Sequence, residues 1–344
     1  MKLLSPIQYE YGNLKIGGGG FGTGITFHPT DSRTLYIRTD IGGIYRYDFD
    51  KNTWVYLASK VTAQDPAQTY PLTLALDEND PDKLFFTCGD KHSNYLCVSF
   101  DKGENITQKP IPCSVHGNEV GRATGDRLLY KNGRLYFGSQ TAGIIYSDDM
   151  GESWQYADLF GEKNISLIWS DSEGKLFIAG CSGEANSPDG VTRGHSLYYS
   201  TDGLKSFLPL TAPEPLRYEK ATYYGFVPQR ITGDSKYLYI TFASSGEVFY
   251  GGMGAYACDT GSLSGGKVYR YRIENGVPVF NKDITPADET PCGYSGISSN
   301  DEMILLSTVC RKKGGDIIYK STDNGESWQI IMNGLDYSRL DWNI

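Results

Sequence analysis

The chain is 344 residues long, 39% hydrophobic, and carries a formal net charge of −9. That acidic balance, with no basic stripe, argues against nucleic acid and anionic membrane as partners, and no run of about 18 apolar residues is present to span a bilayer as a helix. Aromatics make up 13% of the chain, with 26 Tyr and 41 Gly; Tyr-rich strands parted by Gly, Asp and Asn turns point to an all-β protein, and a closed ring of sheets commonly reaches this size.

The first twenty residues, MKLLSPIQYEYGNLKIGGGG, hold Lys2 and Lys15 but no apolar core. No secretory signal is expected from them, which by sequence alone places the chain in the cytoplasm. The seven cysteines are Cys88, Cys97, Cys113, Cys181, Cys258, Cys292 and Cys310. Their odd number and the missing signal point to free thiols in a reducing compartment. There is no CxxC and only four His, so no metal site and no cofactor is expected.

Six units of similar grammar follow in chain order, at about 21–58, 72–112, 122–158, 165–211, 222–286 and 293–333. Each reads as four strands, A to D, with a short turn after A and a loop of variable length after B. The first unit contains LYIRTDIGGIYRYD (35–48) and the third contains LYFGSQTAGIIYSD (135–148). Leu35, Tyr36, Gly43, Ile44, Asp48 and Trp54 each recur one hundred residues later. Repeats of this kind signal stacked or radial units, here the blades of a β-propeller.

Two segments match the Asp-box pattern S-x-D-x-G-x-S/T-W: SDDMGESW (147–154) and STDNGESW (321–328). Degenerate copies are SFDKGENI (99–106) and STDGLKSF (200–207), and YDFDKNTW (47–54) keeps only Thr53 and Trp54. In each full box Asp149 or Asp323 can accept bonds from turn N–H groups. Gly151 and Gly325 permit positive φ, and Trp154 and Trp328 can pack beneath the turn. The boxes are expected to be structural, closing the hairpin between the third and fourth strands of a blade.

Antiparallel strands put the A–B and C–D turns on one face of the disc and the B–C loops on the other. The long insertions, at 181–195, 244–265 and 310–315, all follow strand B. The face opposite the Asp boxes is therefore the expected binding face.

Asp40 ends strand B of the first unit and opens its B–C turn. Its counterpart one hundred residues on is Gln140, so the blade itself does not require a carboxylate there. Asp40 could act as a general base. It could equally be a turn-capping Asp paired with Arg38 or with the N–H groups of Gly42 and Gly43, and on pattern alone the cap is the commoner use. Arg38, two residues earlier, shares its side of the pleat and is a candidate substrate-binding residue. Tyr223, Tyr224, Tyr250 and Tyr256 flank or lie within the fifth unit's insertion. They are either sugar-stacking side chains or ordinary strand-edge tyrosines. Trp169, in strand A of the fourth unit, is expected in the core.

The stretch IGGGGFGTGITFHPTDSRTLYIRTDIGGIYRYD (16–48) resembles the opening of glycoside hydrolase family 74, which holds xyloglucanases and oligoxyloglucan reducing-end-specific cellobiohydrolases. GRATGDRLLYKNGRLYFGS (121–139) is similar to that family's third unit, with Asp126 where Glu is expected. YGFVPQRITGDSKYLYITFASS (224–245), KVYRYRI (267–273) and DIIYKSTDNGESW (316–328) extend the likeness over essentially the whole chain. The resemblance implies two tandem seven-bladed propellers, of which this chain would be the first, with a cleft between them where xyloglucan's β-1,4-glucan backbone is cut with inversion. It places the general base on Asp40 and the general acid on a second propeller beyond this chain. It also implies a family often secreted.

The expected partners are thus a xyloglucan-type oligosaccharide and a second propeller domain or chain. A non-catalytic carbohydrate-binding propeller is the alternative. A sialidase is disfavoured, because Arg272-Ile273 is followed by Glu274 rather than by the Pro of an Arg-Ile-Pro start.

Overall fold

The computed structural model describes residues 16, 18–57, 66–90, 92–115, 117–118, 125–139, 141–157, 163–184, 197–210, 226–234, 236–244, 266–288, 292–309 and 314–335. Among them are six four-stranded antiparallel sheets, each with its strands in sequence order. The first blade is β1 (Gly22–Phe27), β2 (Leu35–Thr39), β3 (Ile44–Asp48) and β4 (Thr53–Tyr56). The second is β5 (Pro71–Asp77), β6 (Asp80–Gly89), β7 (Asn94–Ser99) and β8 (Thr107–Pro110). The third is β9 (Leu128–Lys131), β10 (Arg134–Gly138), β11 (Ile144–Ser147) and β12 (Gln155–Tyr156). The fourth is β13 (Lys163–Ser170), β14 (Phe177–Glu184), β15 (Leu197–Ser200) and β16 (Leu208–Pro209). The fifth is β17 (Phe226–Gly233), β18 (Tyr237–Ser244), β19 (Gly266–Glu274) and β20 (Val277–Asp283). The sixth is β21 (Gly293–Ser299), β22 (Ile304–Val309), β23 (Asp316–Ser321) and β24 (Gln329–Leu335). The all-β propeller and its six visible blades agree with the repeat; a seventh blade is not among the described residues.

The inner strands β5, β9, β13, β17 and β21 touch one another in turn, and β2 leans on β5. The second to fifth blades are packed on both faces, which explains why their strands read as near-continuous apolar runs, whereas the first and sixth each pack against one neighbour among the described residues, leaving Ile25, Phe27 and Ile330 exposed. In β10, Leu135 and Phe137 join the cluster shared with the second blade, while Tyr136 joins the cluster shared with the fourth. Five such clusters fill the five interfaces between successive blades. The hundred-residue offset survives in the backbone bonds: Thr39 N–H donates to Gly43 O and Ser139 N–H to Gly143 O, and Leu57 and Ala157 donate to Ile44 and Ile144.

The two full Asp boxes have the same internal bonding. Asp149 Oδ1 accepts Ser153 N–H at 2.8 Å and Ser147 Oγ–H at 2.8 Å, while Ser147 Oγ accepts Gly151 N–H at 2.7 Å. Asp323 and Ser321 repeat the pattern with Ser327 and Gly325. Gly151 and Gly325 sit at φ +85° and +84°, where a side chain would be strained. The degenerate boxes keep the Ser–Asp bond through Ser99–Asp101 and Ser200–Asp202. Each box also leans on the blade before it. A Cβ on Gly151 would strike Leu96, and one on Gly325 would strike Ile284. Trp328 Nε1 donates to Ile284 O at 2.7 Å, and Trp154 packs against the cluster between the second and third blades.

Candidate functional site

A β-bulge recurs near the start of the inner strand in five of the six blades, leaving Thr23, Leu72, Ser166, Gln229 and Ser295 without a paired partner. The bulges align the blades residue by residue. The position of Asp40 is taken by Gly89 in the second blade, Ser182 in the fourth, Ala243 in the fifth and Val309 in the sixth. A carboxylate at this place is confined to the first blade among those that carry the bulge. Gln140, its counterpart in the third blade, lies outside the described residues.

Asp40 is 9% exposed. Its N–H donates to Phe21 O at 3.0 Å, and its Oδ1 accepts Phe21 N–H at 2.7 Å. The carboxylate is thus pinned to the start of β1. Gly20 precedes this contact at φ +104°, and a Cβ there would come within 2.8 Å of Asp40 Oδ1, so the close approach requires glycine. The turn is capped by its neighbour instead: Gly42 N–H donates to Thr39 Oγ1 at 2.9 Å, and Gly43 N–H to Thr69 O at 3.1 Å. Those two amides are satisfied without Asp40, which removes the main structural reason for an acid here.

Arg38 departs from expectation. Its side chain is 2% exposed and points toward the ring axis. Nη1 donates to Thr23 Oγ1 at 3.1 Å and to the carbonyl of Leu72, a bulge residue with no ladder partner. Nη2 lies 3.8 Å from Asp126 Oδ1, which also accepts Arg230 Nη1–H at 3.1 Å. Burial first, then Arg230, pulls the Arg38 guanidinium down to about 9, against the pull of Asp126, so it remains a cation at neutral pH. A guanidinium so enclosed does not reach a ligand at the surface. Arg38 satisfies the Leu72 carbonyl and the Thr23 hydroxyl and stands beside the exposed carboxylate of Asp126, and the substrate-binding role expected of it gives way to an internal one. Asp126 likewise belongs to this axial cluster.

Large apolar side chains stand exposed beside Asp40: Phe21 at 50% and Ile41 at 49%. Pattern reading overlooked both, because Phe21 lies before the first strand and Ile41 inside a turn. Their signal in the sequence was an apolar residue on either side of the odd carboxylate. Tyr223, Tyr224, Tyr250 and Tyr256 lie outside the described residues. Trp169 packs partly buried in the cluster between the fourth and fifth blades. It also lines an axial cavity of about 220 Å³ with Phe27, Leu74, Leu128 and Asp126. A larger cavity, about 780 Å³, lies between the fifth and sixth blades, lined by Gly314, Tyr319, Trp328 and Ile330. Its carboxylates are engaged, Asp283 by Lys267 and Glu326 by Arg270.

No protein-family model matches the chain. An oligoxyloglucan-reducing end-specific xyloglucanase from Emericella nidulans is 29% identical over 359 residues, spanning 94% of this chain and 42% of its own length. A xyloglucanase from Acetivibrio thermocellus is 25% identical over 362 residues, spanning 95% of this chain and 40% of its own. The crystal structure of a family 74 xyloglucanase from Xanthomonas campestris superposes with a TM-score of 0.73 at 25% identity, over 94% of this chain and 47% of that one. The chain therefore spans less than half the length of the relatives it matches. In sequence along nearly its whole length and in fold, the chain is similar to one half of the glycoside hydrolase family 74 xyloglucanases.

Proposed function

We propose that this chain carries the general base of an inverting glycosidase acting on xyloglucan, and forms one wall of its substrate cleft. The observation that carries the reading is Asp40: a carboxylate at a blade position where the aligned blades hold Gly, Ser, Ala or Val, and where the turn amides are already capped. Its relatives are named xyloglucanases, which supplies the substrate class.

The chemistry follows from the geometry that inversion requires. A carboxylate takes a proton from water as that water attacks the anomeric carbon. A second carboxylic acid, about 6.5–9.5 Å away across the bond, protonates the leaving oxygen. Asp40 serves as the first group, with Phe21 N–H holding one carboxylate oxygen and so fixing the orientation of the other. The acid is assigned to a second propeller, on this chain's continuation or on a separate polypeptide. General acid–base assistance is worth typically about 10²–10⁴-fold per group, so the chain without its acid should turn over slowly.

A reducing-sugar assay on xyloglucan tests this. The 344-residue chain is compared alone, with a second propeller from a family 74 relative added, and with Asp40→Asn in each case. Weak activity alone, a rise on completion, and a loss of about 10²-fold or more in Asp40→Asn are expected. Robust turnover that survives Asp40→Asn would place the base elsewhere. Oligosaccharide binding with no turnover even after completion would favour a carbohydrate-binding propeller.

A further inference from the structure

Residues at even spacing along a strand share a face, so Phe21 would ordinarily lie in one row with Ile25 and Phe27. The bulge at Thr23 prevents this. Gly22 pairs with Thr39 and Gly24 with Arg38, leaving one extra residue between them. A single inserted residue turns everything before it to the opposite face, and bulges beside functional sites commonly re-aim a side chain in this way. Phe21 emerges on the face of Asp40, joined to it by reciprocal bonds through its own N–H and C=O. Ile25 and Phe27 stay on the other face.

The result is a carboxylate between two half-exposed apolar side chains, Phe21 and Ile41. The bulge itself recurs in other blades, but the trio does not recur among the described residues of the blades that carry it. The residues aligned with Phe21 and Asp40 are Tyr70 and Gly89 in the second blade, Val227 and Ala243 in the fifth, and Gly293 and Val309 in the sixth. A pyranose ring presents an apolar C–H face and a rim of hydroxyls. A flat aromatic covers the former, while a neighbouring carboxylate works at the edge.

We propose that Phe21, flanked by Ile41, is the platform on which the sugar ring adjoining the attacked bond stacks, and that it seats a neutral β-1,4-linked glucan against Asp40. This assignment rests on the glycosidase reading above. Phe21 binds and positions substrate and takes no part in proton transfer. Its aromatic face, rather than a hydrogen bond, sets the register of the glucan backbone over the carboxylate.

Calorimetric titration with a xyloglucan oligosaccharide tests the proposal on the intact chain, without needing turnover. Phe21→Ala should weaken binding by about tenfold, the size of effect that marks an aromatic anchor. Phe21→Trp should bind within about threefold of the unaltered chain, by the same measure. Phe27→Ala, at the far end of β1 and on the opposite face, should leave binding unchanged. Thermal unfolding midpoints should shift little in all three, since both side chains are half-exposed. Equal binding by Phe21→Ala and the unaltered chain overturns the platform while leaving the substrate reading intact. Equal losses in Phe21→Ala and Phe27→Ala overturn the face assignment. Absence of binding by the unaltered chain sinks the substrate reading and this assignment with it.

Discussion

Arg38 and Asp40 stand two residues apart and end in different surroundings. Asp40 keeps some contact with solvent, held by Phe21, whereas Arg38 is sealed against the axis by Thr23, Leu72 and Asp126. The difference has a consequence for stability. Removing a buried cation strands the groups it satisfies, so Arg38→Ala is expected to destabilise the fold by about 2–4 kcal/mol. Urea denaturation reads this directly, and a loss under about 0.5 kcal/mol, typical of surface changes, would show that Arg38 is not structural. Asp40→Asn keeps size and hydrogen-bonding capacity and should unfold near the unaltered midpoint. The two substitutions together separate a residue that holds the fold from the proposed general base. In the sequence both were polar residues at a strand end. Nothing local says that the bulge at Leu72, on another blade, leaves a carbonyl for Arg38 to satisfy.

Asp boxes act at the scale of the element, closing one hairpin and bracing the blade before it. Their carboxylates are held low. Asp149 is lowered to about 2 by the Ser153 hydroxyl, then by the Ser153 N–H and Ser147, and Asp202 is lowered to about 2 by Ser206 in the same way. A carboxylate whose folded pKa lies below its unfolded value stabilises the fold above the unfolded pKa, near 4. That contribution is lost as pH falls toward 2. Thermal midpoints followed by circular dichroism should therefore drop between about pH 4 and pH 2, and the drop should be smaller in Asp149→Asn and Asp202→Asn. An unchanged acid profile in the double variant would show that these turns do not couple to stability. The tryptophans of the two full boxes differ. Trp328 Nε1 bonds Ile284 O, whereas Trp154 Nε1 is buried with no acceptor among the described residues. Trp328→Phe is expected to cost about 1 kcal/mol more than Trp154→Phe, one net hydrogen bond; equal costs by chemical denaturation would refute the distinction.

Across the whole molecule, stability resides in the interfaces between blades. Phe137 is fully buried and belongs to the cluster joining the second and third blades. Phe137→Ala should cost about 3–5 kcal/mol, the usual range for deleting a core aromatic. Guanidinium unfolding measures it, and a cost below about 1 kcal/mol would mean that the interface can collapse around the void. The same arrangement explains why the candidate site is small and local. Inner strands are committed to the ring, so chemistry is left to the places where strands end. Asp40 and Phe21 are both at such an end, on the face opposite the boxes.

Much of this was legible in the sequence for a simple reason. Repeats, turn residues and alternation are local and recur with the blades, so the propeller, the six unit boundaries, the boxes and the carboxylate that breaks the pattern could be read by aligning the chain with itself. The hundred-residue match of 35–48 with 135–148 sufficed to single out Asp40. Three features needed the tertiary structure. The bulge at Thr23 changes which face Phe21 occupies, and a one-residue shift in pairing leaves no mark in composition. Arg38 looked available because its neighbours along the chain are polar, but its partners Leu72 and Asp126 come from other blades. The turn amides beside Asp40 are taken, from Gly42, by the Thr39 hydroxyl and, from Gly43, by the carbonyl of Thr69, which leads into the neighbouring second blade. The first depends on how two strands of one blade pair, the other two on groups that neighbouring blades bring to the first, and only the folded arrangement determines which side chain such a group meets.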